Sequence, residues 1–413
     1  MAYTEKNLGN ILVLTYWNFD DALIQTYTLP YLELIRTHQS ATSKIFLVTL
    51  EKGPSIKGVR ENVERRLGPG GVEWVRLRYT PFGFLAIARW AGMIPWLLGF
   101  VFRKKIEVIH CFATPAGAAG YVLSLLSGRK LVLDSYEPHA EAMVENGTWK
   151  KSGMAFRILF WFEKKQTERA VAVIAASEGM RSYARSKYHV EIKRFAVKPA
   201  CVNLDHFSVA NIKNPKLLRE MELEDKIVCV YAGKLGGIYL DLEVFEFLRV
   251  AHEYWGDSFR FLFLTNQSRH EIEAFCYQAR LDIGIITTRF VPHHEIPQYL
   301  GLADFAITPV KPVPSKRYCT PIKDGEYWAT GLPVVISKNI SDDSAIVANL
   351  EIGAVLEQFD TASYQKAIEI IDRLLKRRRE ETFQKIREVA RTYRSFKIAE
   401  EAYQAIYPGL KSL

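Results

Sequence analysis

Apolar runs of five to eight residues, rich in β-branched and aromatic side chains and followed by segments of helical periodicity, recur along the whole of this 413-residue chain. The first set is NILVLTY (Asn10–Tyr16), KIFLVTL (Lys44–Leu50), VEWVRL (72–77), IEVIHCF (Ile106–Phe112), KLVLDSY (Lys130–Tyr136) and VAVIAAS (Val171–Ser177). A strand that is apolar nearly throughout is covered on both faces, which implies a parallel sheet between layers of helices. Asp21–Thr37 and Phe156–Arg169 read as such helices, with Pro30 expected to kink or break the first. The pattern then repeats in KIVCVYAG (Lys226–Gly233), FRFLFLT (Phe259–Thr265), GIITTRFV (Gly284–Val291), FAITPV (Phe305–Val310), LPVVIS (Leu332–Ser337) and GAVLE (Gly353–Glu357). HFSVANIKNPKLLREM, between the sets, lacks strand character and places a boundary near Asn203–Lys216. The expected architecture is α/β: two doubly wound domains, 1–205 and 206–394, facing each other across a cleft, with ligands at the carboxyl ends of the strands. A helix rich in Lys and Arg (Tyr364–Arg394) precedes a tail, 395–413, expected to pack back on the first domain.

Charge is unevenly divided. Residues 1–205 hold 28 Lys and Arg against 18 Asp and Glu, whereas the remainder holds 27 against 28. A basic half can face nucleic acid, an anionic membrane or only solvent. No zinc-finger spacing, RNP-like strand or base-reading helix is present, so nucleic acid is not an expected partner. Phe82–Phe102 is apolar over 21 residues but is interrupted by Arg89 and Pro95 and flanked by Arg76, Arg78, Arg103, Lys104 and Lys105. It fits a helix in the headgroup region, so an anionic membrane surface reached through 76–105 is one candidate partner; a helix buried against the sheet fits as well. Five scattered cysteines, none in C-x-x-C, point to a reducing compartment, and MAYTEKNLGN has no apolar signal core. The expected location is cytoplasmic, peripheral at the inner membrane face if the membrane reading holds.

Dinucleotide-binding, P-loop, zinc-protease and nucleophile-elbow motifs are absent; Tyr16 to Asp21 occupies the turn after the first strand. The most specific stretch is CTPIKDGEYWATGLPVV (Cys319–Val335). Thr320 is the expected helix cap, Pro321 the first position, and Gly331 with Pro333 the end. The N-terminus of such a helix is an anion site. Lys323 in its first turn opposes the dipole, which suggests that the charge serves a phosphate. Gly325 is expected to admit a ligand close to the backbone, and Glu326, on the same face as Lys323, can accept both hydroxyls of a ribose. An internal Lys–Glu surface pair would explain the two charges equally simply. In VYAGKLGGIYL (Val230–Leu240), Gly233, Lys234, Gly236 and Gly237 form a glycine-containing turn suited to a diphosphate, or a plain strand–helix turn.

The order VKPACVNLDHF, VYAGKLGGIY, VPHHEIPQYLGLADFAITPV and PIKDGEYWATGLPVVIS, spanning Val197 to Ser337, resembles the C-terminal half of GT-B retaining glycosyltransferases of the family-4 (group 1) type. The first half is similar through IEVIHCF and AVAVIAASEGMRSY. The resemblance implies two Rossmann-like domains and sugar transfer from a UDP- or GDP-linked donor to a saccharide or lipid-linked hydroxyl acceptor, as in polysaccharide or glycolipid assembly. It implies no metal and no cofactor beyond the nucleotide sugar. Glu326 then holds the donor ribose, Lys234 binds the diphosphate, and Gly236, Gly237, Tyr239 and Lys323 complete the donor site. Tyr318 stands where the family has a glutamate contacting the donor sugar. Leu240 replaces a second basic residue, a role open to Lys323, Lys316 or Arg317. Tyr16 and Trp17, in a loop lacking the family's glycine pair, become acceptor-binding candidates with Glu137 and Glu141. His139, in DSYEPHAEAMVENG, falls where a family histidine lies beside the reacting centre, whereas His293 and His294 look like capping residues of a loop. Other readings of the same pattern are a catalytically weak nucleotide-sugar binder and a GT-B epimerase or phosphorylase.

Overall fold

The computed structural model describes residues 8–21, 23–53, 61, 63–64, 67, 71–80, 84–207 and 212–410, without the side chains of 84–88 and 91. The chain forms two compact units, Met1–Pro199 with Lys397–Leu413, and Ala200–Phe396. The division thus falls at Pro199–Ala200 instead of 205–206, because Ala200 and Val202 already hydrogen-bond to Thr320 and Arg394 of the second unit.

The first unit contains β1 (Asn10–Leu14), β2 (Ile45–Glu51), β3 (Val72–Arg78), β4 (Ile106–Phe112), β5 (Lys130–Tyr136), β6 (Ala172–Ala175) and β7 (Phe195–Val197). They pair in parallel in the order β3-β2-β1-β4-β5-β6-β7. β7 is a three-residue strand with no signal in the apolar pattern. Alternation along β4 and β5 explains the double coverage. Leu131 and Leu133 face the helix Thr114–Ser127, as do Ile109 and Cys111, so closely that a Cβ on Gly120 would lie 2.2 Å from Cys111 Sγ. His110, Phe112 and Asp134 face the other way, toward Tyr31 and the C-terminal helix Phe396–Ile406.

That second face carries a buried polar cluster. Asp134 Oδ1 lies 3.2 Å from Lys198 Nζ, and Oδ2 accepts from Tyr403 Oη at 2.7 Å and lies 3.1 Å from His110 Nε2. Tyr407 Oη meets His110 Nδ1 at 2.8 Å, and the Lys198 ammonium sits 3.5 Å from the centre of the Tyr31 ring. All of these residues are fully buried. Burial alone would raise the Asp134 pKa; Lys198, then His110 and Tyr403, hold it down at about 2. Tyr403 and Tyr407 thereby fasten the C-terminal segment to the first unit.

The second unit contains β8 (Ile227–Ala232), β9 (Phe259–Leu264), β10 (Ile286–Arg289), β11 (Phe305–Thr308), β12 (Val334–Ser337) and β13 (Gly353–Leu356), parallel throughout in the order β10-β9-β8-β11-β12-β13. Strand order reverses at β1/β4 in one unit and at β8/β11 in the other. These are the switch points whose carboxyl ends leave a crevice for ligands.

Three helical expectations change. Asp21–Thr37 changes character at Pro30: π-type turns span Leu23–Thr28 and an α-helix, Leu29–Arg36, begins with the proline in its first turn, where no N–H is required. Tyr364–Arg394 is two helices, Thr361–Leu375 and Arg379–Arg394. Phe82 and Gly83 lie outside the described residues, and the apolar segment forms the helix Phe84–Arg103. No helix among the described residues is long and apolar enough to cross a membrane.

Candidate functional site

At the β8/β11 switch point the chain leaves β8 through Gly233, Lys234, Leu235, Gly236 and Gly237. Gly233, Gly236 and Gly237 have φ of 146°, 86° and 64°, a region that side chains disfavour. Three bonds shape the turn: Tyr231 Oη donates to the Lys234 carbonyl at 2.9 Å, Leu235 N–H donates to Gln267 Oε1 at 2.9 Å, and Tyr239 N–H donates to the Gly236 carbonyl at 3.1 Å. An isolated bridge pairs Tyr239 with Val310 at the end of β11. A Cβ built on Gly237 would meet nothing within 4 Å, so the turn presents its backbone to open space. Lys234 is exposed beside it; hydrogen bonds from Ser268 lower the Glu271 pKa, and the Lys234 charge adds to the shift.

Lys323 joins this turn. It lies in the first turn of the helix Ile322–Ala329, and its Nζ donates to Tyr239 Oη at 3.3 Å and lies 5.0 Å from that ring's centre. A Cβ on Gly233 would come within 2.9 Å of Lys323 Cε, so the lysine crosses directly over the glycine backbone. The helix start differs from the expectation. Its N-cap is Pro321, which supplies no side-chain cap, while Thr320 Oγ1 accepts from Ala200 N–H at 3.0 Å. The first N–H groups of the helix are therefore left without a side-chain cap. Gly325 does not face a ligand: a Cβ there would lie 2.9 Å from Val202 Cγ1 and 3.2 Å from Arg394 Cδ, so the glycine permits close packing of the helix on its own unit. Beneath it, Asp324 accepts from Thr308, and Asp343 pairs with Arg394. Burial first, then Asp343, raises the Asp324 pKa.

Glu326 is buried, with Oε1 3.3 Å from His293 Nε2; Oε2 takes no hydrogen bond from a described residue. His293 stacks on His206, ring centres 6.1 Å apart. The hydrogen bond to Glu326 raises the His293 pKa, whereas burial, then the neighbouring His293, lowers that of His206. His293 is thus a partner of the candidate carboxylate and not merely a loop cap, a juxtaposition that a separation of 33 residues hides. His294 stays exposed beside Glu295. Tyr318 is half-buried at the end of a 3-10 turn, Pro314–Tyr318. Lys316 in that turn is buried, and Arg317 donates to Asn339 Oδ1 at 3.3 Å.

The first unit assembles a second cluster at its own switch point. Tyr16 contacts Trp17 (ring centres 5.6 Å apart) and, edge-on, His139 (6.4 Å). His139 Nδ1 is 3.5 Å from Glu137 Oε1. Burial, then Tyr79, Asp21 and Glu137, raises the Tyr16 pKa. Two non-glycine residues with positive φ, Ala113 at 66° and Ser135 at 51°, stand at the ends of β4 and β5 beside this loop, and Thr114 Oγ1 donates to the Glu137 carbonyl at 2.6 Å. Such strain costs about 1–3 kcal/mol per residue and concentrates at functional sites. Glu141 is engaged elsewhere, accepting from Tyr183 Oη at 2.7 Å with Lys187 Nζ 3.6 Å away.

Behind the His139 helix (His139–Glu145) lies Glu163, fully buried, with no cation as partner among the described residues. Its Oε1 accepts from Ala140 N–H at 2.8 Å and its Oε2 from Tyr188 Oη at 2.9 Å. Burial raises its pKa to about 8, Glu141 and Glu137 adding to the rise. A carboxyl whose pKa is raised by folding binds its proton more tightly in the native state, so its contribution to stability falls as pH rises from about 5 to about 8 and then levels. Melting of Glu163→Gln should lose this component of the pH dependence, gaining on the wild type by a few kcal/mol above about pH 8. Parallel stability–pH curves for the two proteins would refute the assignment.

Among the described residues, no group of three or more His, Cys, Asp and Glu side chains is placed to hold a metal ion. Residues 31–201 match the family model of the glycosyl transferase 4-like domain. No curated protein matches the sequence. Among solved structures, the chain is similar to the sucrose-phosphate synthase (tll1590) of Thermosynechococcus elongatus, with a TM-score of 0.74 at 16% identity over 98% of this chain and 100% of that one. It is also similar to Anabaena Alr3699/HepE in complex with UDP (0.70, 13%, 98% and 100%) and to WaaG, a glycosyltransferase involved in lipopolysaccharide biosynthesis (0.70, 13%, 96% and 99%). Residues 31–201 are therefore similar to the glycosyl transferase 4-like domain, and over its whole length the chain has the GT-B fold of two Rossmann-like domains.

Proposed function

We propose that this protein is a retaining glycosyltransferase that moves a sugar from a UDP- or GDP-linked donor to the hydroxyl of a saccharide or lipid-linked acceptor, without a metal. The observation that carries this reading is the meeting of the Lys323 ammonium, the open Gly233–Gly237 turn and the uncapped start of the helix Ile322–Ala329 at one switch point. Backbone N–H groups and a cation suit a diphosphate, and charge grows on the diphosphate as it leaves. Lys234 supplies a second cation beside the turn. Glu326, steadied by His293 on Oε1, keeps Oε2 for the hydroxyls of the ribose, and Tyr239 lines the approach. Tyr318 takes the place of a donor-sugar glutamate. His139 and Glu137, with the aromatic faces of Tyr16 and Trp17, orient the sugars in the first unit. Anabaena HepE binding UDP and UDP-glucose in the same fold supports a nucleotide-sugar donor.

Thermal melting with UDP, GDP and ADP tests the donor site. One of the three should raise the melting temperature of the wild type, with a stabilisation near 2.7 kcal/mol at about one hundred times Kd, and Glu326→Ala should reduce that gain. No response to any nucleotide would remove the donor assignment; a response without sugar transfer or donor hydrolysis would leave a binding protein.

A further inference from the structure

Exposed large apolar side chains concentrate on three neighbouring helices of the first unit. Trp96 and Phe102 belong to Phe84–Arg103, Leu125 and Leu126 to Thr114–Ser127, and Met154 and Trp161 to Met154–Arg169; each is between 47% and 67% exposed. All six are exposed, and Met154 and Trp161, seven residues apart, share one face of their helix, where a helix facing water ordinarily carries charge. Contacts across the helices join them into one surface. Tyr121 of the central helix packs edge-on against Trp161, ring centres 6.2 Å apart, and the Arg129 guanidinium lies 5.9 Å from the centre of the Phe102 ring. Contiguous apolar surface of this kind marks an interaction site.

Charge selects the partner. The three helices and their flanks (84–105, 114–129 and 150–169) contain eleven Lys and Arg but two Glu. Glu163 is one of these and is buried; Glu168 is the other and is paired with Lys164 and Lys165. Arg157 stands on the outward face between Met154 and Trp161, with Lys150 and Lys151 exposed just before the helix. Tryptophan, leucine and methionine surrounded by an excess of cations match the boundary between acyl chains and anionic headgroups. We infer that this three-helix face docks the protein on the surface of an anionic bilayer. The docking face thus includes all three helices and not only residues 76–105, and it is independent of the donor site.

Flotation of the full-length protein with phosphatidylcholine vesicles, pure or containing roughly one-third phosphatidylglycerol, tests it at low and physiological salt. The wild type should float with the anionic vesicles and stay behind with the neutral ones. Lys151→Glu/Arg157→Glu should weaken the partition by about fivefold or more for each cation removed. Leu125→Ser/Trp161→Ser should bind at low salt but release at physiological salt, because electrostatic attraction alone is screened. These positions are exposed, and unchanged melting temperatures verify folding. Retention of the wild type in the soluble fraction with anionic vesicles at low salt would overturn the inference, as would equal binding by all variants. So would a dimer in solution that Leu125→Ser/Trp161→Ser converts to monomer, which would assign the face to a second copy of this chain.

Discussion

Lys198→Met is expected to destabilise the protein by about 3–5 kcal/mol, because it leaves the carboxylate of Asp134 buried without its cation. The magnitude rests on the asymmetry of buried ion pairs: forming one gains little net energy, but removing one partner exposes the full desolvation cost of the other. Here the ammonium and the carboxylate are 3.2 Å apart and both fully buried. His110 and Tyr403 also approach Asp134, yet Lys198 is the largest of the influences that hold its pKa at about 2. The double substitution Lys198→Met/Asp134→Asn should therefore recover much of the loss, a non-additivity of about 1–3 kcal/mol in chemical denaturation. Strict additivity of the two single substitutions would show that the pair is not coupled. The same shift fixes a pH dependence. A carboxyl with a folded pKa of about 2 against an ordinary 3.8 contributes stability that is complete above about pH 4 and lost as pH falls toward 2. Acid unfolding should accordingly move to higher pH in Tyr403→Phe, which removes one of the hydrogen bonds to the carboxylate and frees the C-terminal segment of one of its fastenings.

Lys323→Met should lower the rate of sugar transfer by about 10²–10³-fold, principally in kcat, if its ammonium stabilises the departing diphosphate. A group that merely binds the donor would raise KM and leave kcat unchanged, so the split between the two constants separates the roles. The geometry makes the distinction worth drawing. Lys323 Nζ lies over Gly233 and against the Tyr239 hydroxyl, at the turn whose glycines open to space, so the charge is already placed before any donor arrives. Pre-placed charge is effective because it needs no reorganisation as the leaving group becomes more negative. Tyr239→Phe removes one partner of the ammonium and should have a smaller effect, about tenfold or less. A Lys323→Met enzyme with wild-type kcat would assign the leaving-group charge to Lys234 or to the helix N-terminus.

Much of the fold is legible in the amino-acid order. Parallel strands buried on both faces must be apolar almost throughout, so IEVIHCF, KIVCVYAG and FRFLFLT declare themselves, and the pattern yields twelve of the thirteen strands described. The missing one, Phe195–Val197, is three residues long and half-buried, too short to impose a pattern. The helix carrying Lys323 and Glu326 is likewise readable from its prolines and glycines. Its cap is not, because Thr320 has two competing partners: it bonds Ala200 instead of the helix N-terminus, and that choice depends on where the strand-to-strand linker runs. Glycines mislead for a related reason. Gly325 and Gly237 look alike in sequence, but a Cβ on one would strike Val202 and Arg394 while a Cβ on the other would meet open space.

By itself the sequence determined the class of architecture, two sets of buried parallel strands alternating with helices, and the short-range features of the site, namely a glycine turn, a sharply bounded helix and a loop containing His139. Periodicity, apolar length and backbone conformation are local, and neighbouring residues encode them. The folded arrangement alone makes Lys323 cross Gly233, His293 meet Glu326, and Asp134 share one buried cluster with a lysine 64 residues later and a tyrosine 269 residues later. The reversal at β8/β11 sets the turn after β8 beside the segment after β11, which no spacing rule connects, whereas the Asp134 cluster follows from the C-terminal helix packing on the β4–β5 face.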